Sequence, residues 1–102
     1  MKELTQSDYE EMVGNSEGIV VIDFWAEWCG PCKVALPKLE ALSEDFGDDV
    51  AFYKVNVDDE GALAAQFSVR SIPTFVVLVD GDVNETIIAN VGELKDHLEN
   101  LV

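Results

Sequence analysis

Cys29 and Cys32 are the only cysteines in the chain, and two residues separate them. Thiols at that spacing can close a disulfide within one turn of backbone, or bind a metal together. A tetrahedral thiolate site takes about four protein ligands, commonly two such pairs. This sequence has one pair and a single distant histidine, His97, so redox chemistry leads and no metal site is expected. The surrounding residues are Trp28-Cys29-Gly30-Pro31-Cys32-Lys33. A cysteine at a helix N-terminus meets the positive end of the macrodipole and free backbone N–H groups, which favour thiolate. Cys29, at a strand-to-helix turn, is expected to be the exposed nucleophile. Cys32, one turn into the helix, is expected to be the shielded resolving thiol. Cys29 attacks a substrate disulfide, a mixed disulfide forms, and Cys32 displaces it. Gly30 lets a partner backbone approach, and Pro31 stiffens the turn and starts the helix without wasting an N–H. Two buried structural cysteines are the bland alternative, which the helix-start context disfavours.

Asp23 is the only ionisable group in the run Ile19 to Ala26. Carboxylates are rarely buried without partner or purpose. Burial raises the pKa and makes the group a proton acceptor near neutrality. Cys32 must lose a proton before it attacks, so a base beneath the motif is useful. Lys54, amid the apolar residues of a later strand, is a charge partner for Asp23 or a lysine whose ammonium reaches outward to water.

These residues need elements to hold them. Ile19 to Ala26 is an almost unbroken apolar run, as expected of a central strand covered on both faces. A helix begins at the cysteine motif and runs to about Phe46, with the stripe Ala35, Leu39, Leu42 and Phe46. Pro37 lies inside it and is expected to kink it. Val50 to Val57 is a second strand, with Ala51, Tyr53, Val55 and Val57 on one face and Phe52, Lys54 and Asn56 on the other. Thr5 or Ser7 can cap a short helix over Asp8 to Val13, and Asp58-Asp59 another over Glu60 to Phe67. Thr74 to Val79 and Val83 to Ile88 are strands joined by an Asp80-Gly81 hairpin turn. A last helix spans Val91 to Leu101 with Leu94, Leu98 and Leu101 inward. The pattern predicts one α/β domain over residues 1–102: a mixed sheet of four or five strands with helices on both faces.

Composition sets the outer bounds. With 102 residues, 48% of them hydrophobic, the chain suits one globular domain with its own core. The net charge is −15, from 21 acidic and 6 basic residues. Such a surface repels nucleic acid and anionic membrane. A solvated exterior accounts for this charge, and adaptation to high salt is a second reading. No apolar run approaches the roughly 20 residues of a membrane span. The first residues show no basic segment followed by an apolar one, so a cytoplasmic setting is expected, where a lone thiol pair is more often catalytic than structural.

The segment Asp23-Phe24-Trp25-Ala26-Glu27-Trp28-Cys29-Gly30-Pro31-Cys32-Lys33 resembles the active-site segment of the thioredoxin family. The resemblance covers nearly the whole chain. Leu36-Pro37 fits the kinked helix, Lys54-Val55-Asn56-Val57-Asp58 the third strand, and Val69-Arg70-Ser71-Ile72-Pro73-Thr74 the cis-proline loop. It implies the thioredoxin fold and a dithiol electron carrier that reduces protein disulfides without a bound cofactor. A separate thioredoxin reductase, linked to NADPH or ferredoxin, recycles it, and its other partners are disulfide-containing target proteins. It implies a monomer, a cis Ile72–Pro73 peptide against the cysteines, and a docking patch of Trp28, Gly30, Pro31, Ile72 and Pro73. Three departures stand out. The first strand shrinks to roughly Lys2 to Leu4 or vanishes. Ala89 replaces a glycine of the docking patch, ahead of a shortened loop at Asn90-Val91-Gly92. Ser68 and Ser71 occupy positions that are often glycine. An oxidase or isomerase of the same fold is the main competitor, but such oxidants carry a histidine before the second cysteine, where this chain has Pro31. A non-catalytic docking module and a metal site shared between two chains are the remaining alternatives.

Overall fold

The apolar run that starts at Ile19 forms the middle of a sheet. The computed structural model describes every residue from Met1 to Val102. β2 (Ile19–Trp25) pairs parallel with β3 (Val50–Asn56) on one side and antiparallel with β4 (Thr74–Val79) on the other. β1 (Lys2–Glu3) adds to the outer edge of β3, and β5 (Asp82–Ile88) to the outer edge of β4. The order is β1-β3-β2-β4-β5, five strands in all. The first strand survives, at two residues.

Strand alternation divides the core into two layers. Val21 on β2, Phe52 on β3, and Phe75 and Val77 on β4 pack against Ala35, Leu39 and Leu42 of α1 (Gly30–Phe46) and Leu94 and Leu98 of α3 (Val91–Leu101). Val20, Ile22 and Phe24 on β2, with Val55 and Val76, pack on the other face against Leu63 of α2 (Gly61–Gln66), Tyr9 and Val13. Helices therefore cover both faces. Val55 and Phe52 lie on opposite faces, as expected. Ala51 is exposed, at the end of β3 that β1 does not pair.

Two of the expected short helices form differently. The segment after Thr5 makes a π-helical turn at Glu10–Gly14, closed by the Asn15 N–H bonding back to the Glu10 carbonyl. Neither Thr5 nor Ser7 caps it; the Thr5 hydroxyl donates to Asp8 Oδ2 instead. α2 starts at Gly61 with Glu60 before it and has no side-chain cap, so Asp58 and Asp59 do not cap it. α1 runs from Gly30 to Phe46 with Pro37 inside. The hairpin turn forms as expected: Asp80 and Gly81 have φ of 52° and 85°, the left-handed pair that matches strand twist. A Cβ at Gly81 would collide with the Gly14 carbonyl, so the turn is packed as well as bent.

α2 ends in a Schellman motif. The Val69 N–H bonds the Ala64 carbonyl and the Ser68 N–H bonds the Ala65 carbonyl. Ser68 occupies the left-handed position of that motif, with φ 55°. Glycine is favoured there because it has no Cβ to clash. Ser71 has no such requirement; its carbonyl accepts a hydrogen bond from the Thr74 hydroxyl. Left-handed backbone costs an L-residue roughly 1–2 kcal/mol, and glycine gives part of that back as entropy. Ser68→Gly is therefore expected to raise stability by roughly 0.5–1 kcal/mol in urea unfolding, with Ser71→Gly giving no gain.

Candidate active site

Cys29 and Cys32 are joined in a disulfide at the start of α1. Cys29 ends the Ala26-Glu27-Trp28 turn after β2 and is the N-cap residue of the helix. Its Sγ accepts the Cys32 backbone N–H at 3.2 Å. A side chain that accepts from the third helical residue satisfies one of the free donors of the first turn. The same donor and the helix dipole favour negative charge on Cys29 once the disulfide opens. The expected contrast in exposure is not present: Cys29 is 4% exposed and Cys32 2%. The two sulfurs differ by neighbour. Cys29 Sγ lies 3.8 Å from the Ile72 carbonyl oxygen, at the surface loop. Cys32 faces inward.

Beneath Cys32 is a cavity of about 40 Å³ lined by Asp23, Trp25, Cys32, Lys33 and Leu36. Alternation explains it. Asp23 and Trp25 share the face of Val21, the face on which α1 lies. Asp23 is 2% exposed, and its Oδ1 has no hydrogen-bond partner. Desolvation raises its pKa from 3.8 to about 7, with Lys54 pulling the other way. Lys54 is opposite Asp23 in the β2–β3 register, and its Nζ sits 5.2 Å from the centre of the Trp25 ring. That cation–π contact holds the ammonium near the site without a direct bond to the carboxylate.

The residues expected to form the docking patch come from three segments. Trp28 is 70% exposed and its indole N–H donates to Asp58 Oδ2 at 2.9 Å. Asp58, expected from its sequence position to cap a helix, fixes the tryptophan instead. The only hint in the sequence is its place directly after a strand parallel to β2, at the same end as the motif. Gly30 and Pro31 are exposed, and Ile72 packs beside the cysteines. The Ile72–Pro73 peptide is cis. Ala89 donates its N–H to the Pro73 carbonyl at 2.9 Å and adopts φ 60°, the left-handed conformation that explains a glycine preference there. His97 is elsewhere, with Nε2 2.6 Å from Asn84 Oδ1 on the surface. No three side chains of the metal-ligating kinds converge anywhere, and no helix is long and apolar enough to cross a membrane.

The Asp23 carboxyl sets a pH dependence. Between about 3.8 and 7 the folded protein holds a proton that the unfolded chain has released. Stability therefore falls as pH rises through that window and levels off above it. The loss is up to about 4 kcal/mol at about 1.4 kcal/mol per pH unit. Asp23→Asn is expected to be more stable than the parent at pH 8 and to lose this slope. Urea unfolding at pH 5 and pH 8 measures both, and an unchanged slope in the variant would contradict the assignment.

Comparison with known proteins matches this geometry. The thioredoxin family model covers residues 1–102. Thioredoxin from Haemophilus influenzae is 44% identical over 100 residues, spanning 97% of this chain and 91% of that protein. Thioredoxin from Bacillus subtilis is 48% identical over 88 residues, 85% and 82% of the two chains. The X-ray structure of Fasciola hepatica thioredoxin superposes with a TM-score of 0.92 over the full length of both chains, at 37% identity. With a disulfide at the head of α1 and relatives of this closeness, the chain belongs to the thioredoxin family of thiol-disulfide oxidoreductases, and Cys29–Cys32 is its redox pair.

Proposed function

We propose that residues 1–102 act as one domain, a monomeric cytoplasmic carrier that reduces disulfides in target proteins and is re-reduced by an NADPH- or ferredoxin-linked thioredoxin reductase. The observation that carries the division of labour is the placement of a buried carboxyl with raised pKa on the Cys32 side of the pair. In the reduced protein the Cys29 thiolate attacks one sulfur of the substrate disulfide. The substrate S–S bond breaks, its second sulfur leaves as thiolate, and a mixed disulfide joins Cys29 to the substrate. Cys32 then passes its proton to Asp23 and attacks Cys29 Sγ. The mixed disulfide breaks, the second substrate thiolate leaves, and Cys29–Cys32 is oxidised by two electrons as the substrate gains two. The cavity between Asp23 and Cys32 exceeds the roughly 10–15 Å³ that one water needs, so a water can carry the proton across. Lys54 limits how far the Asp23 pKa rises and so keeps the base available near neutrality.

The substrate chain docks on Trp28, Gly30, Pro31, Ile72, Pro73 and Ala89. Substrate adds as a strand at the backbone of Ile72, beside Cys29; the bond of the Ala89 N–H to the Pro73 carbonyl, which leaves Ile72 as the next backbone position, supports this reading. The Ala89 methyl narrows the space beside the substrate backbone and selects against bulky residues there.

Cys29→Ser is expected to abolish reduction of insulin disulfides by the protein with dithiothreitol. Cys32→Ser is expected to accumulate the Cys29–substrate mixed disulfide, seen by mass spectrometry as a covalent adduct. A substrate adduct on the Cys29→Ser variant, or full activity of either variant, would overturn the assignment. The Cys29–Cys32 potential should fall near the thioredoxin value of about −270 mV, since Pro31 stands where oxidants carry histidine, and not near the roughly −180 mV of the isomerases.

A further inference from the structure

A groove of about 800 Å³ runs between α1 and α3 beside the redox pair. Pro31 and Ala89 line its active-site end, so it continues the surface already assigned to docking. Its walls include Val34 and Ile88, 62% and 59% exposed, two of the five large apolar side chains that the fold leaves in water. Exposed apolar surface grouped in this way marks an interaction site more often than scattered residues do.

The charge in the groove is opposite to that of the protein. The chain has 21 acidic and 6 basic residues, yet the groove is lined by two lysines, Lys38 and Lys95, and by no carboxylate. At physiological salt the Debye length is about 8 Å, so distant carboxylates are screened while two lysines on the groove wall are not. A ligand lying in the groove therefore meets an apolar floor and local positive charge, whatever the net charge of the whole molecule.

We infer that the groove between α1 and α3 holds a segment of the disulfide-bearing substrate protein flanking its reactive cysteine, and that it selects segments with an acidic residue beside an apolar one. The inference rests on the disulfide-reductase reading above. Geometry sets the spacing. Lys38 is seven residues along α1 from Pro31, about 10 Å at 1.5 Å per residue. An extended chain covers that distance in about three residues at 3.3 Å each. The acidic side chain thus belongs about three or four residues from the cysteine that Cys29 attacks. Its carboxylate meets Lys38 and Lys95, and the neighbouring apolar side chain covers Val34 and Ile88. The lysines give preference among targets, and Cys29 and Cys32 perform the exchange.

The test uses matched peptides with Leu-Glu or Leu-Gln three and four residues from the central position, on either side of it. In a first set, alanine replaces the central cysteine, and binding to the oxidised protein is followed by NMR at 0.15 M salt. This reading needs no redox chemistry. The Leu-Glu peptide of one polarity is expected to bind more tightly than its Leu-Gln partner by roughly twofold to fivefold per lysine engaged, as for exposed ion pairs. Amide shifts should concentrate at Val34, Ile88 and Lys95. Lys38→Gln with Lys95→Gln should remove the preference. In a second set the central cysteine carries a disulfide, and kcat/KM should follow the same order. Equal binding of all peptides, a preference that survives in the double variant, or shifts confined to Trp28 and Ile72 would overturn the inference. Failure of the unaltered protein to reduce a small aromatic disulfide would instead overturn the reductase reading, and the binding preference would still stand or fall by the first set.

Discussion

A carboxyl group is buried in the central strand of the sheet, which is paired on both edges and covered on both faces. Asp23 is almost wholly buried on β2, and no hydrogen bond satisfies its Oδ1. Keeping a charge there is costly, so the group holds a proton up to about pH 7. Everything at the site follows from the register that puts it there. Val21, Asp23 and Trp25 share the α1 face, while Val20, Ile22 and Phe24 share the other. A slip of one residue would set Ile22 and Phe24 under Cys32 and move the carboxyl to the far layer. The apolar residues on either side of Asp23 hold that register, so the core fixes the position of the base.

The redox pair depends on a second placement, the start of α1 at the end of β2. Capping by Cys29 Sγ joins the helix terminus to the sulfur. Three other loops meet it from distant parts of the chain. Asp58 after β3 pins Trp28, Ile72 before β4 brings a carbonyl to Cys29, and Ala89 after β5 ties down Pro73. The rigid sheet holds these loops, and the variable chemistry is in the loops themselves. The α1–α3 groove extends the same surface away from the sulfurs. It differs from the rest of the exterior in charge, since it excludes the carboxylates that dominate the surface elsewhere.

Long apolar patterns are legible in the sequence. β4 and α3 form over the residues that their patterns predict, and α1 ends at Phe46. Burial of a full face overrides local preferences there. Short elements are less legible because only a few local bonds decide them. Near Thr5, side-chain hydrogen bonds go to Asp8 and not to a helix terminus. Asp58 carries a good capping side chain, but an indole N–H 30 residues away claims it. The glycine-like demand at Ser68 and Ala89 is visible in the sequence only as a departure from the family, and the cause is a positive φ that no single residue type announces.

Taken alone, the sequence determined the chemistry and the class of fold. Two cysteines at helix-start spacing, an acid in an apolar strand, and alternating strand and helix patterns are all local or periodic, so a linear chain displays them. Tertiary structure decided what each group touches. It put the acid under Cys32, set Lys54 over Trp25 and out of contact with the carboxylate, and buried both sulfurs to nearly the same extent. It also gathered Lys38 of α1 and Lys95 of α3 onto one groove. Those outcomes depend on which face of the sheet each helix covers and on which loops converge at its end. Such contacts join residues far apart in the chain, and no spacing within the sequence specifies them.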